Sequence, residues 1–256
     1  MPFRNVCWNG VLHHQLQAEM QRLRGSIYLR DGAIRPFGLS IDGRHRLAVD
    51  DQSWHLLLMD EEGHIGGCAR YRVHPSSVRF EDLGVATSAL AHSSEWAANF
   101  QMAVEAELRA ARQMNLPYIE MGGWAIADHF RGTRLFLLSV LASYAFVRLI
   151  RGAFAICQAT ERNGSAAILR RMGGHLLSAA VPPYFDPQYG CQMQMLRFDA
   201  RTSLLGYEEN VQQLMLSLIE APVICADAPD QRGPRAEFAL ASAQHPNPVC
   251  AFAVAT

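Results

Sequence analysis

One stretch constrains the fold more than any other, the run from Tyr118 to Gly174. Its residues change character in a fixed order. Tyr118–Ile126 is rich in Ile, Tyr and Trp and reads as a strand. Asp128–Thr133 is a polar turn with one glycine. Leu135–Ile150 is apolar on most sides and long enough for a helix. Phe154–Thr160 is a short apolar strand between Gly152 and Glu161. Asn163–Met172 is a polar-faced helix stopped by Gly173 and Gly174. Strand, turn, helix, strand and helix therefore follow one another without spare chain.

The turn carries the chemistry. Arg131-Gly132-Thr133 sits where a strand hands over to a helix. The first N–H groups of a helix have no internal partner, and that end of the dipole is positive. A glycine there lets backbone approach an anion closely, so the turn has the form of a phosphate cradle. It has neither the GxGxxG of a dinucleotide fold nor the GK[ST] of a P-loop. An ordinary tight turn with a solvated Arg131 accounts for the same residues. His129 beside it reads either as an anion-steering group or as a plain turn histidine.

The remainder sets the frame. With 256 residues, 50% hydrophobic and 18% charged, the chain can bury a core of one or two domains. A net charge of −1 and no basic tail argue against a nucleic-acid binder. The six cysteines lack CxxC or His-paired spacing, so they read as reduced, mostly buried thiols of a cytoplasmic protein, and no metal site is expected. The N-terminus has no apolar h-region of a signal peptide. Leu135–Ile150 is too short to span a bilayer and contains Arg148.

Val11–Leu23 has the spacing of an amphipathic helix, followed by a Gly/Arg-rich segment read as a mobile lid or loop. Ser53–Asp60 and His64–Val73 read as a hairpin, with Gly66-Gly67 marking a bulge or a close backbone approach. Val85–Met114 holds one or two helices, His175–Asp199 two strands, and Tyr207–Glu220 a further helix. From Ala221 the chain is Pro- and Ala-rich. One domain over residues 1–220 and a flexible tail over 221–256 are expected.

Two blocks of this sequence resemble motifs of the GNAT acyltransferase superfamily. Arg131-Gly132 fits the core of its (Q/R)xxGx(G/A) loop, with Arg134 where a small residue is expected. Asn163, Ala166 and Leu169 fit its NxxAxxLYxxxGF block, with Arg170 in place of the tyrosine that usually serves as general acid. Gly66-Gly67-Cys68-Ala69-Arg70 followed by His74-Pro75 is similar to the acyl-homoserine-lactone synthases and their relatives, the N-acyl amino acid synthases. Arg24 with Tyr28, then Asp50 with Asp51, then Arg70 and Glu120, fall in that group's order. Gly123 stands where the lactone synthases usually carry an arginine, which favours N-acylation of an amine other than the lactone precursor.

The resemblance implies an α/β (α+β) fold with a mixed, mostly antiparallel central sheet flanked by helices. It implies transfer of a long fatty acyl group from an acyl carrier protein or CoA thioester to the amine of a small acceptor, an amino acid. No tightly bound cofactor is implied; acyl-ACP or acyl-CoA is a co-substrate. Phe130, Arg131, Gly132, Thr133, Arg134 and Asn163 are then expected to hold the donor, and Arg24, Tyr28, Asp50 and Arg70 the acceptor. Glu120 is the expected base, with a pKa raised by apolar neighbours. Backbone N–H groups from Trp124 to Ala127 are the expected oxyanion donors, and Tyr184 a substitute acid. The helix Leu135–Ile150, Trp124 and the strand Gln192–Leu196 are candidates to wall an acyl tunnel. Other readings are a catalytically weak carrier-binding or regulatory protein, and a homoserine-lactone-type signal synthase. The bland alternatives are a paired, half-buried Glu120, solvated Asp50 and Asp51, and surface Arg24 and Arg70.

Overall fold

The computed structural model of the chain describes residues 2–226, apart from 61, 200, 203 and 205, together with residues 249–253; at 134–136 and 249–253 it describes the backbone alone. In chain order the strands are β1 (Asn5–Trp8), β2 (Trp54–Met59), β3 (Ile65–His74), β4 (Tyr118–Ile126), β5 (Phe154–Thr160), β6 (His175–Leu176), β7 (Tyr184–Asp186), β8 (Cys191–Asp199), β9 (Pro222–Cys225) and β10 (Val249–Ala253). The helices are α1 (Gly10–Arg30), α2 (Ala97–Gln113), α3 (Arg134–Leu149), α4 (Ser165–Arg171) and α5 (Glu208–Glu220). The strands form one sheet in the order β1-β9-β10-β2-β3-β4-β5-β8-β6, with β7 also on β8. The pairs β1–β9, β10–β2 and β4–β5 are parallel and the others antiparallel. The expected mixed, mostly antiparallel sheet with flanking helices is what the chain forms.

Alternation along the strands divides the core between two faces. Leu56, Leu58, Tyr71, Ile119, Ala155 and Cys157 point to the face covered by α3 and α5. Leu57, Cys68 and Ala125 point to α1 on the opposite face, where Tyr118, Phe154 and Ile156 meet α2. Asn9 caps α1, its side chain accepting the Leu12 N–H at 3.0 Å.

Three expectations change. The helix read as starting at Val11 and ending at Leu23 continues to Arg30, so Arg24 and Tyr28 are helical. Residues 85–87 belong to a short 3₁₀ turn, and the long helix begins only at Ala97. The segment beyond Ala221 is not all tail: Pro222–Cys225 pairs with Asn5–Trp8, and Val249–Ala253 pairs with both β2 and β9. Residues 227–248 lie outside the described residues.

The Gly66-Gly67 reading holds in both of its forms. The β2–β3 register shifts between Leu58 and Met59, opposite this pair. A Cβ on Gly66 would overlap the Phe130 ring, and one on Gly67 would meet Ile126 Cδ1 at 2.7 Å.

Candidate active site

The site is made by a fault in the sheet. Between Cys68↔Ala125 and Arg70↔Gly122, β4 carries one residue more than β3. The extra residue is accommodated at Gly122-Gly123, where Gly123 has φ +63°, a left-handed value that favours glycine in a bulge. The bulge reverses the parity of β4. Glu120 and Gly122 share a face with their partners Arg72 and Arg70, whereas Trp124 packs on the α3 side. The ladder between β4 and β5 ends at Met121↔Cys157, although both strands run on.

A cavity of about 890 Å³ occupies that opening. Gly122–Ile126 line it from β4 and Ile156–Thr160 from β5. On one face of the sheet its walls carry Tyr28, Arg70, Arg72, Glu120 and Tyr189 among apolar Ile27, Val85 and Met193. On the other they are mainly apolar, with Trp124, Val140, Ile168 and Leu169. Gly132, Asn163 and Gln188 are exposed lining residues and mark its open side.

Arg24 and Asp50 do not reach this cavity. Both side chains are 0% exposed and pair face to face, Nη1 to Oδ1 at 2.9 Å and Nη2 to Oδ2 at 2.6 Å. Arg24 Nη2 also donates to the His45 carbonyl at 2.5 Å, and Gln21 donates to Asp50 Oδ2 at 3.0 Å. An arginine and an aspartate this well matched and buried tie α1 to the segment that precedes β2, set back from the cavity expected to take the acceptor. Burial pulls the Arg24 pKa down, but the hydrogen bond and charge of Asp50 outweigh it and raise it. Burial pushes Asp50 up, and Arg24 more than reverses this. His45 and His55 beside the pair are held neutral, their pKa values lowered to about 4 mainly by burial.

Arg70 is the contrasting case. Its Nη1 lies 3.7 Å from Asp50 Oδ1, beyond hydrogen-bond reach, and its Nε and Nη1 are buried without a partner. Burial and the neighbouring Arg24 charge lower its pKa against the pull of Asp50. It lies on the cavity wall with Tyr28, whose hydroxyl is held protonated by burial. Unmet guanidinium donors are of the kind that pair well with carboxylates.

Glu120 lines the same wall, but its pKa moves opposite to expectation. Burial pushes it up, and three donors together hold it below the ordinary range. His74 Nε2 lies 2.9 Å from Oε2, the Gly84 amide donates to Oε2 at 2.9 Å, and the Val85 amide donates to Oε1 at 2.8 Å. Arg72 stands 3.7 Å away. Apolar sequence neighbours suggested a raised value; His74 first, and then the 84–87 turn, both distant along the chain, reverse it.

The Arg131 turn has the expected strand-to-helix placement, and Gly132 has φ +72°. Its amides are largely used within the turn: Phe130 N–H donates to Ala127, Arg131 N–H to Asp128 and Thr133 N–H to Phe130. Arg131 donates to Asp31 at 2.7 Å and lies 3.4 Å from Asp128, which also pairs with Arg30. Only Arg131 and Gly132 of this turn line the cavity among its described side chains and backbone. Phe130 is instead a core residue, and Thr133 caps the turn by donating to the Phe130 carbonyl at 2.7 Å. The Arg134 side chain lies outside the described residues. Ala127, read as an oxyanion donor, gives its amide to Gly66 O at 2.8 Å.

The sequence reading missed Asp31, Arg162 and Tyr189. Arg162 donates to the carbonyls of Gly32 and Gly190, joining the end of α1 to the β7–β8 turn across the cavity's open side. Tyr189 lines the cavity and burial raises its pKa, while Tyr184, the expected substitute acid, is buried off it. The motif block contained Arg162, one residue before Asn163, but no local pattern announces its partners. Asp60, half-buried, and the exposed Glu62 and His64 also gather at the β2–β3 turn, none of them lining the cavity.

The architecture has the fold of a solved acyl-homoserine lactone synthase. Among solved structures, the chain is similar to BjaI, a CoA-dependent acyl-homoserine lactone synthase determined with SAM and isopentyl-CoA. The TM-score is 0.52 at 14% identity, covering 89% of this chain and 90% of that one. The same synthase with MTA gives 0.50 at 13% identity, with the same coverage. FeeM, an N-acyl amino acid synthase from uncultured soil microbes, gives 0.43 at 12% identity over 73% of this chain and 92% of that one. No family model and no curated protein matches the sequence.

Proposed function

We propose that this chain is an N-acyltransferase that moves a fatty acyl group from an acyl carrier protein or CoA thioester to the amine of a small acceptor, an amino acid. The observation that carries this reading is the cavity crossing the sheet between β4 and β5, with charged groups gathered on one face and a mainly apolar wall on the other. A thioester in the gap sends its acyl chain past Trp124 and Val140, and its carrier arm out by Arg131, Gly132 and Asn163. The acceptor enters on the face of Arg70 and Glu120. The CoA dependence of BjaI, a protein of like fold, supports a thioester donor.

In this reaction the acceptor nitrogen bonds to the thioester carbonyl carbon and the C–S bond breaks. Arg70 holds the acceptor carboxylate beside Tyr28. The ammonium loses a proton through water to Glu120, which is already ionised at neutral pH because its pKa is low. A low pKa makes it a weak base, so its larger contribution is negative charge beside the ammonium and a fixed 84–87 wall. Backbone donors near Trp124 steady the oxyanion. A thiol of pKa about 8.5 leaves without a strong acid.

A second reading, a catalytically weak carrier-binding protein, draws on the turn, whose amides and Arg131 are engaged before any donor arrives. Mass spectrometry of lipid extracts from a bacterial host separates the two. New N-acyl amino acids with the wild type, absent with Arg70→Met, support transfer and name the amine and chain. Extracts equal to the empty-vector control, with soluble protein present, favour the second reading.

A further inference from the structure

The segment between α1 and β2 holds two apolar side chains out into water. Phe37 is 85% exposed and Ile41 108% exposed. Neither sits on loose chain. Phe37 is the middle residue of a 3₁₀ turn closed by Gly38 N–H to Arg35 O at 2.9 Å and Leu39 N–H to Pro36 O at 3.1 Å. Ile41 tops a turn closed by Gly43 N–H to Ser40 O at 2.8 Å and Ser40 N–H to Arg44 O at 3.0 Å. The base of the segment is anchored by the His45 amide to Gln21 O at 3.1 Å and by Arg24 to the His45 carbonyl. Gly25 packs beneath it so closely that a Cβ there would lie 2.8 Å from Gly43 O. Two anchored turns thus each present one apolar tip.

Its part from 35 to 46 is basic. There Arg35, Arg44 and Arg46 stand against Asp42 alone, which lies 2.6 Å from Arg44 and 3.8 Å from Arg46, and Arg22 of α1 is near enough to act on Asp42. Ala33, Leu47 and Val49 of this segment line the cavity, and Arg162 ties its start, Gly32, to the β7–β8 turn. That turn follows β7, whose Phe185 is 57% exposed. Among the described residues no helix is long and apolar enough to cross a membrane.

We infer that residues 35–46 dock the protein on an anionic membrane surface, Phe37 and Ile41 entering the headgroup boundary and the arginines pairing with lipid phosphates. Apolar tips flanked by cations match the interfacial region, where burial of apolar area and attraction to anionic lipid add. An acidic protein surface would satisfy the arginines and leave no account of two apolar tips held fully in water. The acyl-transfer reading gives this docking a use, since an N-acylated product is itself an amphiphile formed beside the docking segment. The docking does not depend on that reading.

The test is flotation with vesicles of phosphatidylcholine, with and without phosphatidylglycerol. The wild type is expected to float with the anionic vesicles and to release as salt rises. Phe37→Ser with Ile41→Ser is expected to weaken partitioning by roughly tenfold or more, and Arg35→Ser with Arg46→Ser to erase the preference for anionic lipid. Unchanged thermal midpoints establish that both variants are folded. A wild type that stays in solution with both vesicle types overturns the inference, as does wild-type flotation of the Phe37/Ile41 variant. Failure to float together with capture of purified acyl carrier protein through these residues also overturns it, in favour of a protein-docking surface. Transfer to an amino acid from a soluble short-chain thioester, assayed in parallel, reports on the proposed function independently.

Discussion

Two arginine–carboxylate clusters flank the cavity and behave in opposite ways. Behind it, Arg24 and Asp50 are wholly buried and matched atom for atom. At its rim, Arg30, Asp31, Asp128 and Arg131 form a chain of pairs in which Arg131 is 42% and Asp128 67% exposed. The residue types are the same, and surroundings separate their roles. A buried pair cannot exchange partners with solvent, so it serves structure. An exposed pair trades partners cheaply, so Arg131 can exchange the exposed Asp128 for another anion, while Asp31 is only 14% exposed. Arg70 lies between these extremes, its Nε and Nη1 buried without a hydrogen bond and Asp50 3.7 Å away.

The largest expected effect probes the buried end. Arg24→Met strands the Asp50 carboxylate and should cost on the order of 3–5 kcal/mol in denaturant unfolding. Combining it with Asp50→Leu should recover much of that loss. A single variant that unfolds like the wild type would break the contrast with the rim.

Glu120→Gln comes next. It sets an amide NH₂ against the Gly84 and Val85 donors, and should lower stability by about 1–3 kcal/mol. The sign with pH follows from the depressed pKa. Its stabilisation is full above the unfolded value of 4.5 and is lost as pH falls through the lower folded value. Acid titration of unfolding free energy should therefore be shallower in the variant. In the transfer assay, the rising limb near neutrality should survive the substitution, because it belongs to the acceptor amine.

Arg70→Met should change stability by less than about 1 kcal/mol, since Asp50 keeps Arg24. It should nonetheless raise the acceptor KM by roughly tenfold or more, the value of one lost charged hydrogen bond. A stability loss like that of Arg24→Met, with no change in KM, would move Arg70 to the structural side. The smallest effect is expected for Arg131→Ala, below about 1 kcal/mol in stability. Its KM effect should appear with phosphate-bearing donors and vanish with a truncated thioester.

The sequence disclosed what is local. The strand, turn, helix and strand from Tyr118 to Thr160 lie within a few residues of expectation, because periodicity and glycine placement act over short distances. The paired glycines of β3 were legible for the same reason. Their partner was not, since Phe130 meets Gly66 only through folding. Charged residues could be picked out as a set, but burial alone divides Arg24 from Arg70. The pKa direction of Glu120 depends on amides 36 and 35 positions away. β9 is four residues in a proline-rich setting, and its partner β1 lies at the other end of the chain.

The place of β10 sets a schedule for biosynthesis. This strand lies between β9 and β2, so β2 keeps an open edge until residues 249–253 leave the ribosome. The β2–β3–β4 ladder can assemble well before then, with Trp54–Met59 as its outermost strand. A nascent or truncated chain thus offers a strand with a largely buried apolar sequence as a template for wrong partners. Yield of folded protein should therefore hinge on how quickly β10 arrives.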